Sequence, residues 1–291
     1  MMDYIRLHHQ EMSLCAAQPI KDTHMNLPTY FISHGGGPWP YMEDMRKAMH
    51  VLEESLIDIP RQLPHKPKAI LMISAHWEDQ AFRVMSNPAP GMLYDYGGFP
   101  EHTYHVHYSA PGSPELAERV IELIRNAGLP ALADAQRGFD HGAFAPLAVM
   151  YPDADMPVVQ LSLRAGLDPA EHLALGRALA PLRAEGVLII GSGLSYHNLR
   201  RFGPLAKEPS SSFDDWLQDS LIASSTTERV ARLINWEEAP AARVAHPREE
   251  HLLPLMVAVG AAEDEVASCV YHEENIFGGV VASSFRFGAI A

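Results

Sequence analysis

Four short runs without a charge constrain the architecture of this chain more than any other feature. Thr29–Ser33, Ala69–Ser74, Val158–Ser162 and Val187–Ile190 are rich in Ile, Val or Leu and show no polar alternation. Such runs belong to strands buried on both faces, and two-sided burial requires helices above and below the sheet. The intervening segments supply them. Met42, Met45, Met49, Leu52 and Leu56 recur every three or four residues and predict one helix. Ser113-Pro114 opens a second, with Ser as N-cap and Pro at the first helical position, ending before Gly128. Asp168-Pro169, with Glu171 in a capping-box arrangement, opens a third that stops before Gly186. Polar-capped helices carry Trp216, Leu217 and Leu221, then Val230 and Leu233. A long helix is expected from about Pro247 to Ala262, and Ser268–His272 and Val281–Phe287 read as closing strands.

This alternation implies an α/β fold: a single domain with a mostly parallel central sheet flanked by helices, and its active site at the carboxyl ends of the strands. No internal repeat or long linker divides it. The patterned domain spans residues 27–291, after a polar extension, 1–26, that lacks the apolar core of a signal peptide.

With 291 residues and 47% hydrophobic composition, the chain is large enough for one substantial core. Its formal charge of −14 repels phosphate backbones and anionic bilayers, so neither nucleic acid nor membrane is an expected partner. No apolar run approaches the ~20 residues of a membrane helix. Cys15 and Cys269 form no disulfide framework, which fits a reducing, cytoplasmic setting. The patterning leaves the oligomeric state, a dimer included, open.

Three of the apolar runs end alike. Thr29–Ser33 leads into His34-Gly35-Gly36-Gly37-Pro38, Ala69–Ser74 into Ala75-His76-Trp77, and Val187–Ile190 into Gly191-Ser192-Gly193-Leu194-Ser195-Tyr196-His197-Asn198. Parallel strands would deliver all three histidines to one edge of the sheet. His246-Pro247-Arg248-Glu249-Glu250-His251 opens the last helix, with His251 in its second turn and Glu250 turned about 100° away from it. Asp140-His141-Gly142 reads as a loop before the apolar stretch Phe144–Met150. The chain has 16 histidines, and most read as ordinary. His8, His9 and His24 lie in the extension; His50, His65, His172 and His272 read as surface or satisfied positions. His102, His105 and His107 alternate along a strand-like segment and read as solvent-facing.

These motifs, joined by Tyr94-Asp95-Tyr96-Gly97-Gly98-Phe99-Pro100, Ala110-Pro111-Gly112-Ser113-Pro114 and Leu253-Pro254-Leu255, resemble the class III extradiol ring-cleavage dioxygenases. The similarity is to their DOPA-dioxygenase-like branch and runs in order from about Pro28 to the C-terminus. It implies cleavage of a catechol ring with insertion of both atoms of dioxygen, dependent on non-haem Fe(II), with Zn(II) able to occupy the same site. It implies metal ligation by His34, His76 and His251, an acid–base role for His197 and a substrate-side role for His141. Glu250 competes for the third ligand position, because the wider class often uses a carboxylate there, and His197 is a candidate fourth ligand. Trp39, Tyr41, Tyr94 and Phe99 are candidates to wall the ring.

The chemistry is coherent. Three imidazoles suit iron and zinc alike and leave open positions for catecholate and dioxygen. A divalent ion lowers the pKa of a bound hydroxyl, and an imidazole ionising near neutrality is suited to take the remaining proton. Two rivals use the same residues: a zinc-dependent hydrolase or isomerase, which lacks an evident His-Glu-x-x-His motif here, and a non-catalytic binding or signalling relative.

Overall fold

The computed structural model describes residues 26–290, so Cys15, His8, His9, His24 and the rest of the extension before Asn26 lie outside the described residues. The strands are β1 (Thr29–Ser33), β2 (Ala69–Asp79), β3 (Phe82–Met85), β4 (Ala131–Asp134), β5 (Val158–Arg164), β6 (Val187–Gly193), β7 (Ala267–Ile276) and β8 (Val280–Phe287). The helices are α1 (Glu43–Ala48), α2 (His50–Gln62), α3 (Pro114–Asn126), α4 (His141–Met150), α5 (Pro169–Leu179), α6 (Lys207–Gln218), α7 (Thr226–Ile234), α8 (Ala242–Ala245) and α9 (Leu253–Gly260).

The strands form one eight-stranded, mostly parallel sheet in the order β4-β3-β5-β2-β6-β1-β8-β7. The four uncharged runs are its centre: β5, β2, β6 and β1 are parallel neighbours. The antiparallel β7–β8 hairpin extends one side, and the short parallel pair β3–β4 extends the other, with β3 antiparallel to β5. Both faces of the centre are covered, as β6 shows residue by residue. Ser192 donates its hydroxyl to the Gly142 carbonyl of α4 on one face. On the other, a Cβ at Gly193 would lie 2.1 Å from the His251 carbonyl, beside α9. The α9 helix packs on β6, β1 and β2, with α5 against its outer side; α2 packs against α4.

Caps fall where their residue types demand. The Ser113 hydroxyl accepts from Leu116 N, and Asp168 accepts from Ala170 N and Glu171 N. Four expectations are corrected. The Met42–Leu56 pattern makes two helices, with a break at Met49, whose backbone leaves the helical region at φ −108°, ψ 25°. The α5 helix ends at Leu179 and tightens into a 3-10 turn holding Pro181, rather than continuing toward Gly186. His102 and His105 lie on a 3-10 turn, Glu101–His105, not on a strand; both they and His107 face solvent. The last helix begins at Leu253, not near Pro247. Pro254 is the reason: its ring and missing N–H suit a first helical turn and would break a helix already under way.

Candidate active site

His34 follows the last residue of β1, and its conformation is locked from behind. Its carbonyl accepts from Trp39 Nε1 at 2.9 Å. Gly35 has φ +80°, and a Cβ there would lie 2.4 Å from that same indole nitrogen. His76 lies inside β2, where the pairing with β5 shifts register between Ile73 and Glu78. His251 lies in the turn before α9, not in a helical second turn. Its carbonyl accepts from Leu194 N, tying it to the end of β6.

These three histidines converge through their ε nitrogens. His76 Nε2 is 3.3 Å from His34 Nε2 and 3.2 Å from His251 Nε2. Two nitrogens each about 2.1 Å from a single ion stand roughly 3.0–3.4 Å apart at octahedral or tetrahedral angles, so the trio has metal-site spacing. Burial holds all three neutral. His34 and His251 are lowered far below the ordinary imidazole range by desolvation and by their neighbouring histidines, and His76 is brought down to about 4, chiefly by desolvation.

Two carboxylates orient the cluster from outside. Glu250 Oε1 lies 3.0 Å from His251 Nδ1 and 3.1 Å from His197 Nδ1. It therefore accepts the Nδ1–H of both rings, which stack with centroids 3.4 Å apart. Asp95 Oδ1 accepts from His141 Nδ1 at 2.8 Å and from the His141 backbone N–H at 3.0 Å, while Oδ2 is 3.5 Å from His76 Nδ1. Burial opposes ionisation of both carboxyls. At Glu250 the hydrogen bonds from His197 and from its own backbone, with the charge of Arg248, outweigh it; at Asp95 the bonds and charge of His141 do so. Both end below the usual carboxylate range. A carboxylate on Nδ1 fixes the tautomer and leaves Nε2 free for an ion or a substrate proton.

His141 is the first residue of α4 rather than a loop residue, and its N-cap Asp140 is a fully buried hub. Asp140 accepts from Ser74 Oγ, Ala143 N, Arg137 and Gln160, which anchors the helix start beneath β2. The His141 ring lies 4.0 Å from that of His76. His197 is strapped by its own N–H to the Ala245 carbonyl and by Asn198 Nδ2 to the Val244 carbonyl. It shares a ligand-capable group with Glu250 and His251, whereas His34, His76 and His251 form another.

The five histidines open on a cavity of about 750 Å³. Phe99 lines it, as expected of a ring wall, together with Tyr96, Phe202, Phe277, Met45 and Leu194. Trp39 does not: it is fully buried behind His34. Tyr94 lines a different cavity, with its hydroxyl on the Val106 carbonyl. Tyr41 is absent from the lining of the histidine cavity and packs near Phe144. Sequence reasoning missed Asp95 as the partner of His141, and also Tyr96, Phe202 and Phe277. Asp95 carried one signal, an acid between two tyrosines ahead of Gly97-Gly98; the phenylalanines carried none.

The family described as the catalytic LigB subunit of aromatic ring-opening dioxygenase matches residues 28–288. A 4,5-DOPA dioxygenase extradiol from Beta vulgaris is 42% identical over 267 residues, covering 89% of this chain and 96% of its own. One of the same name from Escherichia coli K12 is 37% identical over 255 residues, covering 83% and 89%. A solved structure of an uncharacterised Escherichia coli K12 protein superposes with TM-score 0.73 at 32% identity, covering 90% of this chain and all of that one. The match takes in every strand of the sheet and every histidine of the cavity: the chain belongs to the LigB family of aromatic ring-opening dioxygenases, in its extradiol, DOPA-dioxygenase-like branch.

Proposed function

We propose that this dioxygenase opens the ring of a DOPA-like catechol with Fe(II) held by His34, His76 and His251. The observation that carries the reading is the convergence of three Nε2 atoms, on two buried rings and one half-buried, one of them on a ring whose far nitrogen is tied to Glu250. When bound there, iron supplies the charge that acidifies a catechol hydroxyl and the redox capacity that zinc lacks. His197 keeps its Nδ1–H on Glu250 and accepts the remaining catechol proton at Nε2, and the carboxylate then stabilises the imidazolium. His141 is tied through Nδ1 to Asp95, and when its ring is an imidazolium on that carboxylate its Nε2–H donates to a substrate oxygen as charge develops there. Phe99 and Tyr96 meet edge to face at 5.4 Å and form an apolar wall against which an aromatic ring packs. Burial raises the Tyr96 hydroxyl to about 12, so this wall stays uncharged at neutral pH.

Anaerobic reconstitution with Fe(II), followed by catechols and oxygen, tests the reading. Oxygen uptake with a yellow ring-opened product is expected with iron and not with zinc, although zinc fits the same ligands. Full activity with zinc alone in metal-free reagents would overturn it.

A further inference from the structure

The cavity over the histidines is apolar along its wall and charged at one edge. There, the end of β2 and the turn before α9 bring Glu78 and Arg248 together, two residues beyond His76 and two before Glu250. The guanidinium grips Glu78 with two prongs, Nη1 on Oε1 and Nη2 on Oε2, and Nη1 also stands 3.5 Å from Glu250 Oε2. Arg248 is the lone Lys or Arg among the described residues that line this cavity; the other charged side chains there are the carboxylates Glu78, Asp95 and Glu250. An anionic group entering the cavity is repelled by those carboxylates and by a chain of net charge −14, except at this guanidinium.

The side chain is both pinned and available. Arg carries five N–H donors in a planar fork, and Glu78 does not exhaust them. The Arg248 side chain remains 55% exposed, so an acceptor can reach the rest. A fork held by a bidentate partner loses little further freedom on taking a second carboxylate.

We propose that Arg248 is a specificity-determining residue, receiving a carboxylate borne on the ring substituent of the catechol while Glu78 holds its guanidinium at the cavity edge. The proposal rests on the ring-opening reading above.

Iron-loaded wild type, R248Q and R248K are compared on two catechols, 4-methylcatechol and 3,4-dihydroxyhydrocinnamate, which differ in the carboxylate. Oxygen uptake gives kcat and KM, and anaerobic calorimetry gives Kd. Losing a hydrogen bond to a charged partner is expected to raise KM and Kd for the carboxylated catechol about 10–100-fold in R248Q. Any change it makes to 4-methylcatechol, by way of the nearby Glu250, should be small beside that loss and shared by both catechols. R248K, which keeps the charge and loses the fork, should recover part of the affinity. Equal losses on both catechols would mean that Arg248 acts through Glu250 on the histidines, and would overturn the proposal, as would no change on either. Ring opening of neither catechol by wild type would sink the reading of the reaction instead, while the anaerobic Kd values would still judge Arg248.

Discussion

Glu250 and His251 are neighbours in sequence with different geometries, and the difference is measurable. His251 Nε2 joins the trio of ε nitrogens, whereas Glu250 sits on the far side of the ring, on Nδ1. His251→Ala is expected to abolish iron retention and activity together, since two imidazoles hold the ion poorly. Glu250→Gln should still fill with iron at saturating metal, with affinity or rate reduced about 10–100-fold, as for other groups that orient a ligand. Metal titration followed by elemental analysis separates the two; a glutamine variant that never fills while the alanine variant does would reverse the assignment. His197 stacks on His251 but is not a member of the His34, His76 and His251 group, so His197→Gln should keep near-stoichiometric iron and lose ~10²–10⁴-fold in turnover. Loss of iron in step with rate would make it a fourth ligand and leave His141 as the proton acceptor. The histidines themselves were readable because each follows an uncharged apolar run or belongs to a motif that no helical stripe explains. Asp95 was not, because its partner His141 lies 46 residues away, and a contact at that distance leaves no periodicity.

At the scale of elements, the site depends on how closely the turn before α9 approaches β6. Gly193 permits it: the His251 carbonyl lies where a Cβ at that position would be, at 2.1 Å, and it accepts from Leu194 N. Gly193→Ala must therefore displace backbone rather than a side-chain tip. The expected result is a displaced His251, weakened iron binding by calorimetry and slowed oxygen uptake in a chain that still folds. Unchanged iron affinity would show that the turn relaxes without moving the ligand. The central strands and two helix caps were legible because their signals are local: uninterrupted apolar runs, Ser113-Pro114, Asp168-Pro169. The last helix was misplaced because Pro247 reads as a first-turn proline, whereas Pro254 fills that position and would break a helix begun at Pro247. The later start releases Glu250 and His251 from helical spacing, which is how one carboxylate reaches the Nδ1 of two rings. The β3–β4 edge escaped notice because its strands are four residues each and half-exposed in part, too short for a clear pattern.

Across the whole molecule, burying so many imidazoles makes the fold acid-labile in a defined window. His34, His172, His246 and His251 are almost wholly buried. Desolvation, the leading cause in each, lowers His172 to about 4 and His246 to about 3, and holds His34 and His251 well below their ordinary value. The folded chain keeps these rings neutral, whereas the unfolded chain protonates them near pH ~6.5. Between that value and the folded one the unfolded state binds more protons, so stability falls as pH falls, by about 1.4 kcal/mol per pH unit for each such ring. Above neutrality the contribution is flat. His172 isolates the effect from metal chemistry, because it lies on α5, outside the lining of the histidine cavity. There its Nδ1 donates to the Asp168 carbonyl and its Nε2 accepts from Arg164 N. His172→Gln can keep both bonds and cannot titrate. Urea unfolding of the metal-free chain from pH 7 to pH 4 should give a steep decline for wild type and a shallower one for the variant. The two curves should converge toward pH 7, with iron affinity at neutral pH unaltered. Parallel curves across that range would show that His172 is protonated equally in both states, and that the acid sensitivity of the fold resides in the cavity histidines alone.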